Sequence, residues 1–205
     1  MEADIESSYI GIEPFTFAYR MGQLVHIPGR GTSTIGHPFD SGGARFFSSF
    51  HFNGGSGLNA FFGAPGNPSH VLMGRVAWST FNVEVDVAAI DTSVIDHRRV
   101  SPALPSPWPA GSTINNFRGT PRSGDPVRSI RGMSNLVHHT IIFDPSFTLA
   151  DVSRAIMTDT NGRSQAGDSG AALITVAGQV VGTRAGWIRW MGVDRGVYTN
   201  VQFYR

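Results

Sequence analysis

Residues 165–173, QAGDSGAAL, place a serine between two glycines, with an aspartate directly ahead of it. A serine hydroxyl attacks an electrophile only after a base takes its proton, and the oxyanion that results needs donors around it. Gly167 and Gly170 carry no side chains, so backbone N–H groups beside Ser169 could converge on such a charge. Gly, Asp and Ser are also turn formers, and the same letters could simply reverse the chain. Nucleophilic chemistry further requires a histidine and a carboxylate supplied from elsewhere in the sequence.

Other chemistries are pruned by what the sequence lacks. There is no cysteine, hence no disulfide, thiol nucleophile or thiolate metal site. All sixteen basic residues are arginine, which removes Schiff-base chemistry, a serine–lysine dyad and the lysine of a phosphate-binding loop. A formal charge of +1 gives no field for steering nucleic acid or an anionic membrane. No apolar run reaches the length of a membrane span. Residues 1–9, MEADIESSY, are acidic without a basic residue, the wrong sign for a signal or transit peptide. Absence of cysteine fits a reducing compartment without excluding secretion, so no localisation follows. A metal site is not expected from the residues: no histidine pair has the i, i+4 spacing of a helical metal site.

The elements that must hold these residues read as β-strands. Twenty-five glycines, twelve prolines and many short apolar bursts argue for an all-β protein. Strands are expected at 45–50, 71–78, 83–90, 137–143, 171–176, 179–183 and 196–201; residues 147–155, FTLADVSRA, offer the one helical pattern. The four prolines of SPALPSPWPAG, 101–111, cannot sit in a central strand. That stretch reads as a linker between an amino-terminal half, 1–100, and a carboxy-terminal half, 112–205, each of a common domain scale. Residues 118–131 hold four arginines without interleaved aromatics and read as a solvated loop rather than a nucleic-acid patch.

GDSGAALI, then GQVVGTRAGW, then GVYTNV, in order between Gly167 and Val201, resemble the end of a chymotrypsin-like (trypsin-like) serine peptidase. The resemblance covers about the last forty residues closely and the rest loosely. It implies two six-stranded antiparallel β-barrels, a protein or peptide substrate, an active site between the barrels, and neither a metal nor an organic cofactor. It also implies a base after a hydrophobic strand ending in small residues, which selects His51 in ARFFSSFHF over His70 in NPSHVL. Here the sequence departs from the family, which has a small residue at Phe50 and a cysteine at Phe52. For the carboxylate, Asp86 in VEVDVAAID matches the family's acid followed by apolar residues, while Asp91 reads as a turn residue closing the strand. His138 and His139 fall in the other half and are expected to be structural.

Roles follow from the resemblance: Ser169 the nucleophile, His51 the base, Asp86 the group that fixes the histidine tautomer, and the N–H groups of Gly167 and Ser169 the oxyanion hole. It assigns substrate binding to Arg163 and Ser164, to Ala185, Gly186 and Trp187, and to Gly196. Arg163 near the pocket floor would favour an acidic side chain; Asp159 and Asp194 would oppose that. Asp168 needs a cationic partner, for which Arg118, Arg122 or a new amino terminus at Ile10 are candidates. Two other functions fit the sequence less well. One is a protease-like module without catalysis. The other is a β-sandwich binding carbohydrate or protein through the glycine-rich stretch 52–69.

Overall fold

In the computed structural model the chain is described over residues 16–40, 43–52, 54–81, 85–95, 98–115, 119–134, 136–148, 155–160 and 163–203. Fourteen strands occur among them, here numbered in chain order. In the first half these are β1 (Thr16–Arg20), β2 (Leu24–Ile27), β3 (Gly31–Thr34), β4 (Arg45–Ser48), β5 (Asn59–Phe62), β6 (Val71–Phe81), β7 (Asp86–Asp91) and β8 (Arg98–Ser101). The second half has β9 (Pro126–Arg131), β10 (Leu136–Phe147), β11 (Ala155–Thr158), β12 (Ala172–Thr175), β13 (Val180–Trp190) and β14 (Val193–Asn200).

Strands β9 to β14 close into a six-stranded antiparallel barrel in the order β10-β11-β14-β13-β12-β9. Strands β2 to β7 form a six-stranded antiparallel sheet in the order β3-β2-β5-β6-β7-β4. Its two edges meet through the chain that leaves β3: Gly36 N–H donates to Phe47, and Phe47 N–H donates to His37. This is a double β-barrel. β1 and β8 pair in parallel beside it, and the proline-rich stretch is docked rather than loose. Its Trp108 is buried and donates Nε1–H to the Thr175 carbonyl.

Strand β7 is buried along its whole length, which its sequence DVAAID allows because β4 and β6 cover both edges. Seven strands were not expected from the sequence: β1, β2, β3, β5, β8, β9 and β11. Most are four or five residues long and mix polar with apolar positions, so no period emerges from them. Strand β9 corrects the reading of 118–131 as a solvated loop. In PVRSIR, Val127, Ser129, Ile130 and Arg131 are all buried, and the arginines conceal a barrel strand. The helical pattern at 147–155 is also revised: Phe147 ends β10 and Ala155 begins β11, while 149–154 lie outside the described residues.

The first barrel buries His37 in an apolar setting, its ring 5.1 Å from that of Phe47. Burial lowers its pKa from 6.5 to about 3. The folded chain therefore holds this ring neutral while the unfolded chain protonates it, so stability is lost as pH falls below 6.5 and continues to fall toward about 3. His37→Phe should remove up to ~1.4 kcal/mol per pH unit from that slope. Chemical denaturation of both chains between neutral and acid pH checks this; parallel pH profiles would show that His37 is not the group responsible.

Candidate active site

Phe50 and Phe52, the two residues that depart from the family pattern, are both buried and meet edge to face at 6.0 Å. With its neighbours anchored on either side, His51 adopts φ +52° and turns its ring outward. Left-handed backbone at a non-glycine residue costs of order 1–3 kcal/mol and persists where its surroundings enforce it.

Asp86 opens β7 and is 2% exposed. His51 Nδ1 lies 2.6 Å from Asp86 Oδ2, and His51 Nε2 lies 3.0 Å from Ser169 Oγ. A carboxylate only accepts, so Nδ1 carries the proton and Nε2 presents its lone pair to the serine hydroxyl. The hydrogen bond to Asp86 raises the His51 pKa above 6.5, against the opposing effect of burial. Asp86 is tied to the other barrel as well, since its N–H donates to Thr199 Oγ1 on β14 at 3.2 Å.

The serine turn is held by β3 of the opposite barrel. Thr34 N–H donates to the Ser169 carbonyl at 2.8 Å, and Thr34 Oγ1 donates to the Gly167 carbonyl at 2.7 Å. Ser33 Oγ lies 2.6 Å from the Ser169 carbonyl oxygen and 2.5 Å from that of Ser49, so its one proton is shared between them. The Asp168 carbonyl accepts from Ala171 N–H, which points the N–H of the same trans peptide, that of Ser169, the other way. Among the described residues the Gly167 and Ser169 amides make no hydrogen bond. Gly167 has φ +104°, and a Cβ there would stand 2.6 Å from Met133 Cγ.

Of the other sequence candidates, His70 stacks on Phe61 and faces His26 instead of approaching a serine. His138 bonds to Ser134, and Asp91 closes β7 by accepting from Ser93 and Arg45. Arg163 is exposed and ion-paired with Asp194 at 2.6 Å, and Asp159 pairs with Arg195 at 2.8 Å. Ser164 is partly buried in the same segment, and Ala185, Gly186 and Trp187 follow one another on β13, opposite Gly196 on β14. Arg118 and Ile10 lie outside the described residues, and Arg122 sits in a turn closed by Asp125. Asp168, 1% exposed, accepts instead from the N–H groups of Met133 and Gln165, and its charge acts on the buried guanidinium of Arg184. Arg184 was missed in the sequence, although a lone arginine in VVGTRAG was a signal.

No family model matches the sequence, and no curated protein matches it. Solved structures do. A chymotrypsin from Cellulomonas bogoriensis is 20% identical, with 89% of this chain and 92% of that one covered at a TM-score of 0.64. The fold is that of the chymotrypsin-like serine proteases. Protease A of Thermobifida fusca shares this fold at 17% identity, covering 88% of this chain and 90% of its own at a TM-score of 0.63. A glutamic-acid-specific serine protease, described as using a histidine triad in substrate binding, shares it at 16% identity, 89% and 94% coverage and a TM-score of 0.65. Among the described residues of this chymotrypsin-like fold, no group of three or more metal-ligating side chains occurs and no helix is long and apolar enough to cross a membrane.

Two outcomes are expected from this geometry. The His51 ring should titrate above 6.5 by NMR and fall back toward that value in Asp86→Asn; an unchanged titration would remove Asp86 as its partner. Gly170 has φ +87°, and a Cβ would stand 2.5 Å from Ser48 Oγ and 2.6 Å from the Thr34 carbonyl oxygen. Gly170→Ala should therefore cost at least about 2 kcal/mol in urea denaturation, and wild-type stability would contradict the tight seating of the turn.

Proposed function

We propose that the chain is a serine endopeptidase that hydrolyses peptide bonds through Ser169, His51 and Asp86. The observation that carries this reading is the unbroken chain of hydrogen bonds from Asp86 Oδ2 through the His51 ring to Ser169 Oγ, at 2.6 and 3.0 Å. Three side chains from distant parts of the sequence meet with the carboxylate orienting the ring and the ring facing the hydroxyl whose proton it would take.

In this reading His51 takes the Ser169 proton as Oγ adds to the scissile carbonyl carbon. The oxyanion is received by the N–H groups of Gly167 and Ser169, and loss of one donor in a comparable site costs about 3 kcal/mol of transition-state stabilisation. His51, now imidazolium and stabilised by Asp86, returns the proton to the leaving amine. The acyl group stays on Ser169 until water, deprotonated by the same ring, attacks and releases it. Residues 1–100 form the half that supplies base and carboxylate, 101–111 the linker, and 112–205 the half that supplies the nucleophile.

A polypeptide substrate also suits the open edge of β13. β12 pairs with β13 only as far as Thr183, whereas β13 runs on to Trp190 paired with β14 alone. Residues Ala185, Gly186 and Trp187 thus offer backbone donors and acceptors that an extended chain can complete as an added antiparallel strand. Among the described residues, a side chain at Gly186 would meet nothing within 4 Å, which leaves room for that backbone to approach.

A fluorophosphonate probe followed by intact mass tests the reading. One adduct, mapped to Ser169 and absent from His51→Ala, is expected. Its formation rate should fall as pH drops through the raised pKa of His51, because the base must be neutral to accept the proton. Absence of an adduct on the wild-type chain would favour the catalytically inactive binding module instead.

A further inference from the structure

The hairpin of β13 and β14 continues past the barrel that it helps to close. β12 leaves β13 at Thr183, and β11 pairs with β14 only from Val197 onward, so the ribbon from Trp187 to Gly196 is paired only with itself. Successive side chains alternate between its two faces. On one face Ile188 packs on Ala155 and Val197, Trp190 meets Phe147 edge to face at 5.3 Å, and the Arg195 guanidinium lies 3.9 Å from the centre of the Phe143 ring. On the other, Arg189 donates twice to the facing Asp194, at 2.7 and 3.1 Å, and Arg163 joins them at 2.6 Å. These contacts fix the ribbon before anything binds to it.

The end of the ribbon is built against local preference. Its turn consists of Met191 and Gly192, with φ +50° and +79°. A two-residue turn with left-handed backbone at both positions suits Asn-Gly, because asparagine tolerates that backbone through local hydrogen bonds and glycine has no side chain to clash. Methionine offers neither advantage, and Met191 is 83% exposed, so packing within the chain does not compensate. Trp190 and Val193 at the base of the turn are exposed as well, and so is Trp187 on the cleft side. Large apolar side chains thus collect on a rigid projection where polar ones would fold at least as well, which is the mark of a contact surface.

The backbone indicates what lies against it. Trp190 and Val193 close the turn and exchange both hydrogen bonds, as do Ile188 and Arg195, so the N–H and C=O groups of Trp187 and Arg189 point away from β14 toward the edge that β12 does not reach. That edge is continuous with Arg184, whose carbonyl accepts from the N–H of Gly170, next to Ser169. An antiparallel strand added there runs with its amino end toward Met191 and its carboxy end toward Ser169. Resting on the peptidase reading, we propose that the projecting end of the β13–β14 hairpin is a second substrate surface, on which Trp187, Trp190 and Met191 take apolar side chains of the polypeptide upstream of the bond that Ser169 attacks. From Ala185 to Trp190 the edge is about 20 Å long, the length of about six extended residues. The substrate class is therefore an extended apolar segment of at least that length. A flexible thioether at the tip adapts to different apolar partners, as a surface that reads a class of segment requires.

The test uses Ser169→Ala and peptides with one common three-residue carboxy end, extended at the amino end by three leucines or by three serines. Binding is measured by calorimetry and by tryptophan emission. The leucine extension should tighten binding roughly 10- to 100-fold and shift the emission to the blue, whereas the serine extension should do neither. Met191→Asn, which gives the turn its preferred Asn-Gly, should melt no lower than its parent and lose most of the leucine gain. Equal gains from leucine and serine would overturn the proposal, as would a leucine gain that survives in Met191→Asn combined with Trp190→Thr. If that double variant does not fold, Met191→Asn and the comparison of leucine with serine decide. Self-association that Met191→Asn abolishes, in a chain that shows no leucine gain, would assign the surface to a second copy and overturn the proposal too. Fluorophosphonate labelling of the wild-type chain separates the two readings. A leucine gain without labelling keeps the surface and sinks the peptidase reading; labelling without a leucine gain sinks the surface only.

Discussion

The hydrogen bonds from Thr34 to the serine turn are the constraint on which the rest depends. They join β3 of one barrel to the peptide groups of Gly167 and Ser169 in the other. His51 and Ser169, the proposed base and nucleophile, lie on different barrels, so their separation of 3.0 Å is only as secure as the contact between barrels. A displacement of 1 Å in such a pair costs about a hundredfold in rate. Thr199 repeats the link from the other direction, receiving the Asp86 N–H on β14. Asp86 and Ser169 are therefore each held by their own barrel and hydrogen-bonded through their backbone to the other.

Hydrogen bonding does the chemical tuning. Asp86 opens the fully buried strand β7, and its short bond to His51 makes the ring more basic than a free imidazole against the effect of the ring's own burial. Ser33, Thr34 and Ser48 are buried as well, where a hydroxyl without a partner would be costly. Ser48 Oγ donates to the Thr34 carbonyl, and the Ser33 proton is shared between Ser49 and Ser169. Polar side chains thus replace apolar packing where the two barrels meet, which gives direction to a contact that hydrophobic burial would leave unspecific.

Much of the second barrel was legible because its strands announce themselves. ALIT and the first residues of β13 are runs of apolar residues, and the serine turn precedes them with glycines at both φ-positive positions. The first barrel was harder to read. LVHI and GTST carry too few residues to show a period, and the role of GTST lies in hydrogen bonds to a turn more than a hundred residues away. His51 was reached through resemblance although its neighbours are atypical, because Phe50 and Phe52 act through packing rather than through the motif itself. Arg131 and Arg184 escaped for a related reason. Arginine reads as surface in any composition-based pass, and only the barrel topology turns these two inward.

The account's central claim, that Ser169 is an activated nucleophile which becomes acylated, is tested most directly by pre-steady-state hydrolysis of p-nitrophenyl acetate at mildly alkaline pH. The account predicts a burst of p-nitrophenol stoichiometric with the protein, followed by slower turnover, with the acetyl group recovered on Ser169 after an acid quench. A linear time course without a burst, unchanged in Ser169→Ala, would contradict it.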